Sequence, residues 1–264
     1  MSNKIPAITG WLWFKQGFAL YRKQPGLLSM LLFLQVLCFM LLNGVPLLGQ
    51  FIALLLIPSF SMARMQACYL IETGQPVPPS VLVTGFRKDA LVPLCKLGVV
   101  YLVAVMVLLG ITMIALSPDF WEQAKLMGDS KKPPTFAQAD VWKALLLALA
   151  FNTVMLLLSF APALTYWKQM PPMKATFYSV FAILGSVRAF AVLILTSFGM
   201  FIGILMLTSL IFGPSKIAQS LALFAMFLFA LLRRLAIYAS YRQLFPDDAP
   251  GTAKIVPDET GALG

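Results

Sequence analysis

Histidine is absent from the chain and charge is scarce: of 264 residues only 11% are charged, with 10 acidic against 20 basic. Without His, the commonest metal ligand and the commonest general base at neutral pH are missing. Any Ser-His-Asp or Cys-His mechanism is excluded. Cysteine is nearly absent too. Cys38, Cys68 and Cys95 make an odd count with no C-x-x-C, which argues against a disulfide framework and against a zinc site. All three read as packing residues. What the chain has instead is apolar: 60% of its residues are hydrophobic and its mean hydropathy is +0.86. An ordinary soluble domain is about 45–50% apolar and about 25% charged. So few polar residues cannot cover a soluble surface, and the chain reads as an integral membrane protein. Disorder, a disulfide scaffold and a nucleic-acid-binding domain are excluded on the same grounds.

Six apolar runs are long enough to span a bilayer, at 27–42, 45–64, 94–116, 144–166, 189–212 and 217–237. Backbone groups in hydrocarbon find no water, so these runs must be helices. A β-barrel would need alternating polarity, and these runs are continuously apolar. They pair into three hairpins. Asn43-Gly44-Val45-Pro46 joins the first two and Gly213-Pro214-Ser215-Lys216 the last two. A longer loop with balancing charges joins spans three and four. The first helix lacks a cleavage pattern and reads as a retained signal anchor. Residues 1–245 form one membrane domain, and 246–264 a flexible cytoplasmic tail.

Of the 20 Lys and Arg, 15 fall on the side that carries both termini. By the positive-inside rule that side is cytoplasmic. The +10 net charge is thus chiefly a topology signal. The expected location is the bacterial inner membrane, multi-pass, with N- and C-termini cytoplasmic.

An amphipathic stretch precedes each hairpin and reads as an interfacial helix on the cytoplasmic side. In the first, Trp11, Phe14, Phe18 and Tyr21 share a face opposite Lys15 and Arg22. The second begins at Pro78-Pro79-Ser80 and the third at Pro171-Pro172, where Phe177, Tyr178, Phe181 and Ile183 follow. This makes a weak threefold repeat. Gly17-Phe18 matches Gly85-Phe86, and Ser59-Phe60 matches Ser159-Phe160. Pro58 and Pro162 lie beside the latter pairs and should kink those helices.

No catalytic constellation is evident, and no acidic residue lies within an expected span. Asp119 and Glu122 share a face with Lys125, which reads as a solvated helix start. The polar side chains within spans are Asn152, Gln35 and Gln50, each read as an interhelical hydrogen-bonding group. Gly199 and Gly203 form a G-x-x-x-G in span five. It either packs that span inside the bundle, the favoured use, or builds a dimer. Arg64, Arg188, Arg233 and Arg234 sit at cytoplasmic span ends. With Arg22, Lys23, Arg87 and Lys88 they form a candidate site for anionic lipid headgroups. Trp11, Trp13, Tyr69, Trp167 and Tyr241 read as interfacial anchors at the same level.

The opening Gly10-Trp-Leu-Trp-Phe-Lys-Gln-Gly17, the segment Phe160-Ala-Pro-Ala-Leu-Thr-Tyr-Trp167 and the run from Met173 to Ala182 carry a resemblance. They are similar to an uncharacterised family of proteobacterial six-span inner-membrane proteins. More distantly they resemble the membrane domain attached to some glycerophosphodiester phosphodiesterases. The resemblance spans most of residues 10–245 and implies architecture only, since it brings no catalytic residues.

The expected fold is an all-α integral membrane protein with six transmembrane helices in three hairpins and interfacial helices on the cytoplasmic side. The expected function is non-catalytic: an accessory, scaffold or lipid-interacting factor, with no cofactor or metal. The rival is a transporter or channel for a small neutral or apolar solute. A polar midplane cavity would favour the rival, and lipid-facing grooves under the interfacial helices the first reading. The topology makes a direct prediction. A reporter fused after Gly264 that works only in the cytoplasm should be active, and activity of a periplasm-specific reporter there would refute the orientation.

Overall fold

The computed structural model describes residues 5–46, 48–125, 136–213 and 215–246. The middle of the loop between spans three and four and nearly all of the expected tail lie outside them. In chain order the elements are α1 (Thr9–Lys23), α2 (Pro25–Asn43), α3 (Leu48–Glu72) and a short 3-10 helix (Pro79–Phe86). Then follow α4 (Lys88–Ala115), α5 (Pro118–Lys125), α6 (Gln138–Leu157), α7 (Ala161–Trp167), α8 (Pro172–Gly185), α9 (Val187–Phe212) and α10 (Lys216–Leu244). There is no strand among the described residues.

Six helical segments are long and apolar enough to cross a membrane: α2, α3, α4, the α6–α7 pair, α9 and α10. The protein is an all-helical integral membrane protein. Several spans are longer than the apolar runs alone suggest, α3 and α4 among them. α3 continues past Arg64 to Glu72, about 12 Å further at 1.5 Å per residue. α4 begins at Lys88 and carries Pro93 inside it. In both, amphipathic turns extend the helix beyond its continuous apolar part. Pro58 lies inside α3, which runs on through it.

Pro162 acts more strongly. Its ring takes one of the first two positions of α7, and the span breaks just before it, at Leu158–Phe160. A break among buried residues leaves backbone groups that need partners. The Ser179 hydroxyl, from α8, donates to the Leu157 carbonyl at 2.6 Å and accepts from the Phe160 N–H at 3.1 Å. The Tyr101 hydroxyl, from α4, donates to the Leu158 carbonyl at 2.6 Å.

An even number of spans puts α1, the 3-10 helix and α8 at one end of the bundle, the near end, where α2 starts and α3 stops. Each of these short elements packs against the returning span of the hairpin before it: the 3-10 helix on α3, α8 on α7, and α1 on α10. The first thereby closes a ring on the last. Small residues make the approach close enough. A Cβ on Gly85 would run into the backbone of Ser59. One on Gly17 would lie 2.7 Å from the Ala236 nitrogen, and one on Gly10 would strike the Ala189 carbonyl of α9. The sequence repeat thus has a spatial counterpart. Ser59 and Phe160 are where the following short helix docks.

This docking gives α1 an inward face beside the expected one. In α1 the buried residues are Thr9, Gly10, Trp13, Phe14, Gly17 and Leu20, whereas Phe18 is exposed and Trp11 and Tyr21 are half-buried. The glycines turn the helix so that its flattest side meets the backbone of α9 and α10. The second short element is a 3-10 helix rather than an α-helix. Trp13 and Tyr241, expected as lipid-facing anchors, are fully buried. They belong to an aromatic core in which Trp13 meets Phe190 at 4.9 Å, Phe160 meets Tyr241 at 5.7 Å and Trp167 meets Tyr241 at 5.4 Å. Nearly all buried residues of α2, α4, α9 and α10 lie in their near-end halves. The far halves expose Ile114, Leu210 and Ile211, as spans facing lipid tails do.

The G-x-x-x-G of α9 is also corrected. Space around Gly199 and Gly203 is open, with nothing within 4 Å of a built Cβ. They do not pack span five inside the bundle, a use that falls instead to Gly10, Gly17, Gly85 and Gly98 at close backbone crossings. Gly17→Leu should therefore abolish or strongly destabilise folding in detergent, read as thermal unfolding, whereas Gly199→Leu should leave the monomer's melting temperature unchanged. Ser179→Ala removes the two serine bonds at the Pro162 break, leaving that of Tyr101, and should cost about 1–3 kcal/mol. The same assay on Ser209→Ala, an exposed serine bonding only within its own helix, is the control.

Candidate functional site

The polar residues of the near end fall into two groups with different chemistry. One is an ion-pair network at the rim. Glu72, at the last turn of α3, accepts from the Tyr238 hydroxyl and from Arg242 Nε at 3.1 Å. Two indoles cap neighbouring amides: Trp13 Nε1 donates to Gln243 at 2.6 Å and Trp167 Nε1 to Gln66 at 3.0 Å. These contacts fasten α1, α3, α7 and α10 to one another.

The other group is deeper and has no carboxylate partner among the described residues. Gln35 is buried on α2, about 15 Å along from the helix start. Its side-chain oxygen accepts from Arg64 Nη1 of α3 and from Arg234 Nη1 of α10, the latter at 3.1 Å. Arg64 also donates to Ser61 Oγ at 3.0 Å. One neutral amide oxygen therefore holds two guanidinium groups. The next arginine, Arg233, turns the other way and donates to Asn152 Oδ1 of α6 at 2.8 Å. Arg233 Nε is buried without a partner. Burying a charge without an opposite one is expensive, so such a cluster is favourable ground for an anion.

A groove opens beside Arg64. It holds about 240 Å³ between α2, α3 and the 3-10 helix. Leu31, Leu34 and Cys38 form its α2 wall, Phe60 and Ala63 its α3 wall, and Leu82, Val83 and Phe86 its cover. Phe60 stands edge-on to both Phe39, at 5.4 Å, and Phe86, at 5.2 Å. Among the described residues, the groove's strongly polar lining is Gln35 and Arg64. A second, more open cleft of about 410 Å³ lies between α4, α5 and α6 and includes Asn152. The two share no residue.

The candidate headgroup residues thus divide. Arg22, Lys23, Arg87, Lys88 and Arg188 are exposed. Arg64 and Arg234 are drawn inward onto Gln35, whereas half-buried Arg233 bonds the exposed Asn152 of α6. Asn152 makes an interhelical bond, to Arg233, while its own amide group donates to Ala148 at 3.1 Å. Gln50 is exposed. Asp119 and Glu122 lie exposed on α5, and Ser117 there links to Asp140 of α6. The convergence of α2, α3 and α10 on Gln35 was not apparent from the sequence. A lone amide within an apolar run was the available signal, but its partners lie far away in the chain.

No family model and no solved structure matches the chain, so the distant likeness to the phosphodiesterase-associated membrane domain has no support. The chain is similar to a probable inner membrane protein of Burkholderia thailandensis, with 31% identity over 264 aligned residues that cover 96% of each protein. The chain belongs to this family of probable inner membrane proteins.

Proposed function

We propose that the chain is a non-catalytic, lipid-interacting factor of the inner membrane, with both termini cytoplasmic. The observation that carries this reading is the pairing of charge and apolar surface at the near end. Arg22, Lys23, Arg87, Lys88 and Arg188 are exposed there. Beside them, Leu12 and Phe18 of α1, Val83 of the 3-10 helix, and Met173, Phe177 and Phe181 of α8 expose apolar side chains. Met173, Phe177 and Phe181 recur every four residues, so they form one stripe along α8. Lys174 Nζ, one residue round from that stripe, lies 5.9 Å from the Tyr178 ring. A helix with an apolar stripe and cationic flanks suits the boundary between headgroups and acyl chains, and its cations favour anionic headgroups.

The groove beneath the 3-10 helix also supports this reading over transport. The near-end groove and the far cleft are lined by different residues, and the polar residue of each is tied to an arginine.

The test is lipid retention. Each basic residue near an anionic surface is worth about 1 kcal/mol. Neutralising Arg22, Lys23, Arg87 and Lys88 together, each to Gln, should weaken binding of phosphatidylglycerol at least about tenfold at low salt. Binding of phosphatidylcholine should hardly change. Equal phosphatidylglycerol binding by the wild type and this variant, measured in lipid titrations of the purified protein, would refute the headgroup role of the rim.

A further inference from the structure

We infer that the groove between α2, α3 and the 3-10 helix binds one acyl chain of an anionic lipid, whose headgroup is held by Arg64. This deepens the lipid-interacting reading and rests on it. The groove supplies both halves of an amphiphile's requirement in one place. Leu31, Leu34 and Cys38 lie on successive turns of α2, so its apolar wall runs for about 10 Å. Phe60 and Phe86 close the opposite side, packed edge to face. Gln35 stands midway along the α2 wall, between Leu34 and Cys38, and Arg64 lies one turn beyond Phe60 on the α3 wall.

Charge complementarity selects the occupant. Arg64 and Arg234 meet on the Gln35 oxygen and have no carboxylate partner among the described residues. The carboxylate nearest along α3, Glu72, is already taken by Tyr238 and Arg242. An amide dipole orients two guanidinium groups but cancels the charge of neither. A guanidinium presents five donors in a planar fork, and Gln35 and Ser61 occupy only part of Arg64's set. The chemistry that fits the remainder is a phosphate or carboxylate, which a fork can bind through two parallel hydrogen bonds. A free inorganic anion would use the arginine but not the groove. A neutral lipid would use the groove but leave the arginine unpaired. An anionic lipid uses both.

The experiment titrates the purified full chain in detergent with phosphatidylglycerol, phosphatidylcholine or inorganic phosphate, and counts bound molecules by native mass spectrometry. Wild type should bind phosphatidylglycerol at least tenfold more tightly than phosphatidylcholine. Arg64→Gln should reduce that preference several-fold and Arg64→Lys should keep most of it. Leu34→Trp fills the groove from α2. Val83→Trp fills it from the exposed cover and is the variant least able to disturb folding. Each should weaken both lipids several-fold in protein that still elutes as a single species. Unchanged lipid binding in folded Val83→Trp and Arg64→Gln would overturn the proposal. So would millimolar phosphate that binds wild type and Val83→Trp alike and displaces phosphatidylglycerol, since the site would then take a free anion. The rim variant separates this inference from the broader reading. If the rim variant loses phosphatidylglycerol while the groove variants do not, the groove is overturned and the lipid-interacting reading stands. If the groove variants alone lose it, the groove is supported and the rim is refuted.

Discussion

Close approach of backbone to backbone at Gly10, Gly17 and Gly85, with Ser179 filling the same role at the third crossing, holds the near end together. In a bilayer, lipid tails are as apolar as leucine, so helices gain little by hiding apolar surface from them. Association has to come from packing density and from hydrogen bonds. A glycine facing a backbone offers the first, and a serine bridging a broken span offers the second. Because each short helix sits on the hairpin that precedes it, and α1 sits on α10, these crossings link all three hairpins. Removing one opens the ring.

From this closure follows the asymmetry of the molecule. The near end is built like a globular protein, with an aromatic core around Phe160, Phe190 and Tyr241 and with indoles bonded to amides. The far end is built for lipid: α9 has no buried residue beyond Ser197 and α6 buries only Asp140. The same asymmetry distributes polarity. Among the described residues, the carboxylates in ion pairs lie at helix ends, Glu72 at the near end and Asp140 at the far end. The inward arginines rely on amides.

The sequence stated much of this openly. A continuous apolar run can only be a helix when its backbone has no water, so six spans and their short turns were readable from composition and Gly-Pro punctuation. The prolines at 79 and 172 marked the starts of two short helices correctly. What was hidden has one cause. The aromatic spacing of α1 marked the face of Trp11, Phe14, Phe18 and Tyr21 but not the inward face of Thr9, Gly10, Trp13 and Gly17. Where lipid and protein are both apolar, hydropathy cannot tell one from the other, and small residues mark the protein side instead. The same ambiguity misplaced Trp13 and Tyr241 at a lipid belt, and it made the G-x-x-x-G of α9 look like a bundle contact. Glycine spacing alone does not separate Gly10 and Gly17, which pack, from Gly199 and Gly203, which do not. Which pair has a partner depends on the ring of hairpins, a property of the whole chain.

Arginine placement carries the argument one step further. Arg64 lies about 12 Å before the end of α3, and Arg234 about 15 Å before the end of α10. Read along each helix alone, both are cations that could snorkel outward to the headgroups. The ring prevents that simple outcome, because Gln35 draws both inward to one oxygen. Two like charges brought together in a medium of low dielectric repel strongly, and one amide cannot offset the repulsion. Helix packing that fixes these arginines therefore stores an electrostatic demand at the edge of an apolar groove. In a chain with twice as many basic as acidic residues, that demand is more readily met by the membrane's own anions than from within the fold.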